Sequence, residues 1–173
     1  PLDRFVAGDL TRLMVVAPPR HGKSEIVSRR LPAYLLGRQP DASIIACSHT
    51  AALASRMNRD TQRVIDDARY QAVFPETRLA SKGVAGGRWV RTDELFEVVG
   101  RKGSYRSAGV GGSIVGMGFD IGIIDDPIKN QEQALSPTLR EKVWEWYTSD
   151  FLTRQAKGAR ILLTVTRWHI DDL

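Results

Sequence analysis

Leu13-Met14-Val15-Val16-Ala17-Pro18-Pro19-Arg20-His21-Gly22-Lys23-Ser24 is the stretch from which the fold is read. Its first five residues make a short, β-rich apolar run closed by two prolines, the pattern of a buried strand. Gly22-Lys23-Ser24 matches the end of a phosphate-binding loop, whereas Ala17 stands where the first glycine of that pattern usually lies. The residue types suit the chemistry. Backbone N–H groups of such a loop, and of the helix it opens, point at phosphate oxygens, and the helix dipole favours negative charge there. Gly22 lets the backbone come close, Lys23 can reach the outer phosphates of a nucleotide, and the Ser24 hydroxyl can ligate magnesium. Pro19, Arg20, His21, Gly22, Lys23 and Ser24 are therefore the candidate ATP-binding residues, with His21 read as an exposed loop residue without a catalytic task.

Beyond the loop, the periodicity predicts a helix from Ser24 to about Gly37, with Ile26, Val27, Leu31, Leu35 and Leu36 on one side. Pro32 predicts a kink or an early break in it. Ala42 to Cys47 reads as a second buried strand, followed by a helix from Ala51 to about Asp67 whose apolar stripe includes Leu53, Met57, Val64, Ala54, Thr61 and Ile65. Arg88 to Arg91 and Leu95 to Val99 are expected to pair as a hairpin across Thr92-Asp93, and Ser107 to Gly118 to form a glycine-rich loop. Ile121 to Ile124 is a third buried strand, running into Asp125-Asp126. Pro137 to about Gln155 is expected to be one amphipathic helix capped by Ser136, and Ala159 to Val165 a last strand. Apolar strands alternating with helices indicate an α/β domain with a mainly parallel central sheet.

Acids at the end of a buried strand lie at the edge where open α/β sheets bind ligands. Asp125 is the candidate magnesium residue together with Ser24, and Asp126 the candidate for polarising the attacking water. Many related ATPases use Glu at the second position, and Asp is one methylene shorter. The separation of loop and acids implies at least one extra strand between their strands, the arrangement of RecA-like P-loop motors rather than of simple nucleotide kinases. Gly109, Gly111, Gly112, Gly116 and Gly118 precede a strand instead of opening a helix, which excludes a dinucleotide-binding reading.

The whole chain is consistent with that class. Its 173 residues suffice for one domain with a core that needs no disulfide or structural metal. The single cysteine, Cys47, excludes an internal disulfide and a multi-cysteine zinc site, and its apolar setting marks it as a buried structural thiol. No apolar stretch approaches the roughly 20 residues of a membrane span, and Asp3, Arg4 and Asp9 do not suit a secretory signal. Lys and Arg number 25 against 20 Asp and Glu, a net +5 with a pI of 9.7, which permits a polyanionic partner. These basic residues are dispersed along the sequence. The absence of an initial Met and the stop just after a strand pattern lead to the expectation of a domain excised from a longer protein.

Asp125-Asp126-Pro127-Ile128-Lys129-Asn130, followed by Thr164-Val165-Thr166-Arg167-Trp168-His169-Ile170-Asp171-Asp172-Leu173, resembles the N-terminal ATPase domain of the large terminase subunit of tailed bacteriophages. The likeness takes in Pro18 to Ser24, Cys47-Ser48-His49, Gly118-Phe119-Asp120 and Trp144-Glu145-Trp146-Tyr147, in the family's order. It implies an ATP- and Mg2+-dependent motor that translocates double-stranded DNA into the procapsid. Such a subunit is expected to form a homo-oligomeric ring at the capsid portal protein, to work with a small terminase subunit, and to act in the host cytoplasm. A C-terminal RNase H-like nuclease domain is expected beyond residue 173.

By the same resemblance, Lys23, Arg20, Asp126 and Thr166 are the catalytic residues, and Thr166 is preferred over Thr164 as the group that senses the γ-phosphate. The family also implies an arginine that enters a neighbour's site. Val115 stands where some relatives carry it, leaving Arg101 and Arg106 as candidates. Ser48 and His49 would touch nucleic-acid backbone or cap a helix, Trp168 would pack, and His169 would be a hydrogen-bonded structural group. The competing readings are a helicase-like or DNA-repair ATPase on the same core, a non-hydrolysing nucleotide- or DNA-binding module, and a structural protein that docks on the portal.

Overall fold

Arg12–Val16 (β1), Ser43–Ser48 (β2), Leu95–Glu97 (β3), Ser104–Gly109 (β4), Phe119–Asp125 (β5) and Gln155–Val165 (β6) pair into one six-stranded sheet. It is seen in a computed structural model that describes residues 1–81, 88–114, 116–171 and 173. The strand order is β1-β6-β5-β2-β4-β3, and every pairing is parallel except β3 with β4. The extra strand expected between loop and acids is β6, which separates β1 from β5. β4 falls in a segment expected in part to be loop. Its sequence, SYRSAG, has no apolar run of its own, and it becomes a strand by lying residue for residue beside β2. Gly109 ends it where a Cβ would lie 2.7 Å from the Ala51 backbone nitrogen, so the strand can approach the next helix only without a side chain.

The helix after the phosphate-loop motif does not break at Pro32. It starts as a π-helical segment, Glu25–Arg30, in which the Leu31 N–H reaches back to Ile26, and continues as Leu31–Arg38 (α2) with Pro32 in its first turn. Proline lacks an N–H and its ring clashes with the carbonyl four residues earlier in an α-helix; the wider π turn accommodates both defects. Ala51–Asp66 (α3) is capped by Thr50, whose hydroxyl accepts from the Leu53 N–H at 3.2 Å. Its buried face is Ala54, Met57, Asn58, Thr61, Gln62 and Ile65, with Leu53 and Val64 only half-buried. The two buried amides are satisfied: Gln62 donates to Asn58 and to the Thr92 carbonyl, both at 2.7 Å, and accepts from Arg91 at 3.0 Å.

Those bonds tie α3 to the turn before β3. The expected hairpin exists there only in part, as an Arg91–Phe96 bridge around a turn closed by the Thr92 hydroxyl. The expected 137–155 helix is also subdivided. Pro137–Trp146 (α6) is capped by Ser136 as expected, then passes into a π segment, Tyr147–Phe151, and a 3-10 turn, Leu152–Arg154. Trp146 and Phe151 are both buried, and five residues apart they would diverge on a 3.6-residue spiral. The i→i+5 turn brings their rings to 5.4 Å. They cover one face of the sheet with Ile45, Ile124 and Ile161, while α2 and α3 cover the other against Ile44, Ile121, Ile123 and Leu162. Ala68–Val73 (α4) follows α3 directly, Leu2–Ala7 (α1) precedes β1, and Gln131–Leu135 (α5) precedes α6.

Candidate functional site

Between β1 and the helix, the backbone passes twice through the left-handed region, at Arg20 (φ 63°) and Gly22 (φ 78°). Glycine adopts this without strain, and Gly22 then offers its carbonyl to the Ile26 N–H at 3.1 Å, which starts the helix. Pro18 to Gly22 are exposed, whereas Lys23 turns inward and is only 8% exposed. Its ammonium lies 2.5 Å from Asp126 Oδ1 and also donates to the Thr166 hydroxyl. Asp126 is itself left-handed (φ 44°), fixed by its N–H to the Thr164 carbonyl at 2.9 Å and by the Thr166 N–H to Oδ1 at 2.7 Å. Loop, β5 end and β6 end thus meet at one ammonium.

One residue back, Asp125 is 1% exposed and lies in register between Ser48 of β2 and Thr164 of β6. The Thr164 hydroxyl donates to Asp125 Oδ1. Asp125 Oδ2 and the Ser48 hydroxyl are buried with no hydrogen-bond partner among the described residues. A buried carboxylate oxygen without a donor is costly unless a cation or water completes it.

A profile of the terminase large subunit, T4likevirus-type, N-terminal family matches residues 14–173. The chain belongs to that family. No curated protein sequence matches it. Among solved structures, a point variant of the large terminase ATPase domain of Thermus phage P74-26 aligns with TM-score 0.54 at 16% identity, over 92% of this chain and 60% of that one. The large terminase of bacteriophage HK97 aligns with TM-score 0.56 at 10% identity, over 91% of this chain and 29% of that one. That of a thermophilic bacteriophage, in complex with ADP, gives 0.54 at 13% identity, over 94% and 37%. The chain therefore spans less than two thirds of the length of each. The shared fold is the RecA-like fold of phage terminase ATPase domains.

In this terminase domain the fold brings Lys23, Asp126 and Thr166 together, with Asp125 the residue before Asp126. Ser24 is half-buried at the head of the helix, and Arg20 and His21 stay exposed, the His21 Nδ1 lying 2.9 Å from the Pro19 carbonyl. Neither candidate for the neighbour-directed arginine is placed with them. Arg101 pairs with Glu76 beside the β3–β4 turn, and half-buried Arg106 lies 3.8 Å from the Met117 sulfur; Val115 lies outside the described residues. Ser48 closes β2 and does not cap α3, a task that Thr50 performs. His169 accepts from the Asp171 N–H at 3.0 Å, as expected of a structural histidine. Sequence reasoning passed over Thr164, whose contact with Asp125 depends on strand register that spacing does not reveal. No helix among the described residues is long and apolar enough to cross a membrane.

Proposed function

We propose that this chain is the ATP-hydrolysing motor domain of a phage large terminase subunit, driving translocation of double-stranded DNA into the procapsid. The observation that carries the proposal is the meeting of Lys23, Asp126 and Thr166 at the C-terminal ends of β5 and β6, opposite the Pro18–Ser24 loop. In this reading the loop amides and Lys23 hold the nucleotide phosphates, with Arg20 beside them. Ser24 and Asp125 would hold Mg2+, and the unpartnered Asp125 Oδ2 fits a hard cation or its bound water. Bound Mg2+ supplies neutralisation of the phosphate charge that grows during transfer. Asp126 orients the attacking water and accepts its proton, and Thr166 registers loss of the γ-phosphate at the end of β6.

The same reading makes residues 1–173 one motor domain of a longer protein with a separate C-terminal nuclease. It works as a ring on the capsid portal with the small terminase subunit, in the host cytoplasm. The test is ATP hydrolysis by wild type and Lys23→Ala, with and without duplex DNA, over a range of protein concentrations. Lys23→Ala is expected to lower turnover on the order of 100-fold or more, the cost of one preorganised electrostatic contact, with the circular dichroism spectrum unchanged. Equal turnover in a folded Lys23→Ala protein would sink the assignment.

A further inference from the structure

Basic residues that lie scattered along the sequence are gathered by the fold. Arg29 and Arg30 from the π segment, Arg56 and Arg63 from α3, and Arg69 from α4 line a groove of about 550 Å³. Three acids share it, and each is engaged. Glu25 holds Arg29 at 2.8 Å and Arg30 at 2.9 Å, Asp60 holds Arg29 at 3.1 Å and Arg63 at 2.6 Å, and Asp67 holds Arg69 at 2.8 Å. Five arginines less three acids leave an excess of two positive charges. Arg56 is exposed and makes no ion pair among the described residues. Arg30 spends only Nε on Glu25, and Arg63 only Nη1 on Asp60, so both keep further donors.

We propose that this groove is a second anion site, separate from the Pro18–Ser24 loop, that holds the phosphate backbone of duplex nucleic acid. The proposal rests on the motor reading, in which the chain must grip a duplex, and adds where it does so. Every cation lining the groove is an arginine, whose forked donors suit phosphate oxygens. Apolar lining is confined to Val64 and Tyr70, too little to anchor a protein partner through buried hydrophobic contacts. Arg56 and Arg63 are two turns apart on α3, about 10 Å along the axis. On one strand consecutive phosphates rise about 3.4 Å along the duplex axis, so two guanidinium groups this far apart can reach different phosphates of it. Arg29 and Arg30 stand on the helix that the loop opens, so a strand in the groove touches the element that carries Ser24.

The test uses the double variant Arg56→Ala/Arg63→Ala; Asp60 keeps Arg29 as its partner in it. Binding of a fluorescent duplex is followed by anisotropy over a KCl series. Duplex affinity is expected to fall roughly tenfold, and the slope of log affinity against log salt to shrink by about 2, near 0.9 for each phosphate no longer neutralised. ATP turnover without DNA is expected to stay at the wild-type level. Unchanged affinity and slope with intact turnover overturn the groove and leave the motor reading standing. Loss of turnover already in wild type strikes the motor reading instead. If the variant loses binding of polyglutamate while duplex binding is unaltered, the groove receives an acidic protein and the proposal is overturned.

Discussion

Replacing Thr164 by Val isolates the hydroxyl that holds the Asp125 carboxylate. Valine keeps the shape and the β-branch, so packing and strand preference change little, and only the hydrogen bond is removed. Asp125 is 1% exposed and its other oxygen has no partner among the described residues, so the variant leaves a buried carboxylate without a protein donor from the neighbouring strand. A hydrogen bond to an ionised group contributes about 1.5–3 kcal/mol. The folding equilibrium should therefore fall about 10- to 150-fold. With a urea slope of about 2 kcal/mol per M, the midpoint should drop by about 0.7–1.5 M. The assay is urea unfolding followed by tryptophan fluorescence at neutral pH without nucleotide, on Thr164→Val and Thr164→Ser side by side. Serine should retain most of the stability because it keeps the donor. A valine midpoint within about 0.2 M of wild type, or a serine variant as unstable as valine, would refute the reasoning.

Gly122 in β5 is packed so closely that an added Cβ would lie 2.6 Å from Phe151 Cζ and 2.9 Å from Phe119 Cε2. Both rings are buried, so Gly122→Ala should cost about 1–3 kcal/mol, read as a lower melting temperature, and pairing it with Phe151→Leu should recover part of that loss. Burial pushes the Cys47 thiol from 9.0 up to about 12, and burial pushes the Tyr70 phenol from 10.0 up to about 12. Both groups release protons more readily when unfolded, so their contribution is complete below about pH 9 and is lost as pH rises towards 12. A chemical-denaturation series should show stability falling across that window, less steeply in Cys47→Ala and Tyr70→Phe. For the same reason iodoacetamide should label Cys47 only as fast as the protein unfolds.

The burial expected of β1 is not found, since it is an edge strand in which Met14 is 47% and Val16 54% exposed. Its strand form and the loop after it could be read because their signals are local: a continuous apolar run, two prolines, then Gly-Lys-Ser before a helical period. The acids at the end of β5 were legible for the same reason. β4 was not, since Ser104 to Gly109 take strand form from their register with β2 rather than from their own pattern. The π turns at Glu25–Arg30 and Tyr147–Phe151 were hidden because they answer a proline and a pair of rings that must share a face. Thr164 lies in β6 and Thr166 one residue past its end, and one reaches Asp125 while the other reaches Lys23. That division follows from the left-handed turn at Asp126, which spacing alone does not show.

The Lys23 ammonium is already committed to a carboxylate and a hydroxyl. Those two contacts use two of its three N–H donors, so a polyphosphate that takes hold of it competes with the carboxylate, anion against anion, as on an ion-exchange resin. As the guest draws the ammonium to itself, the Asp126 carboxylate loses hold of its counter-ion and the Thr166 hydroxyl of its donor, at the ends of two adjacent strands. Departure of the guest would run the exchange backwards, with the protein's own carboxylate as the competitor that helps evict it.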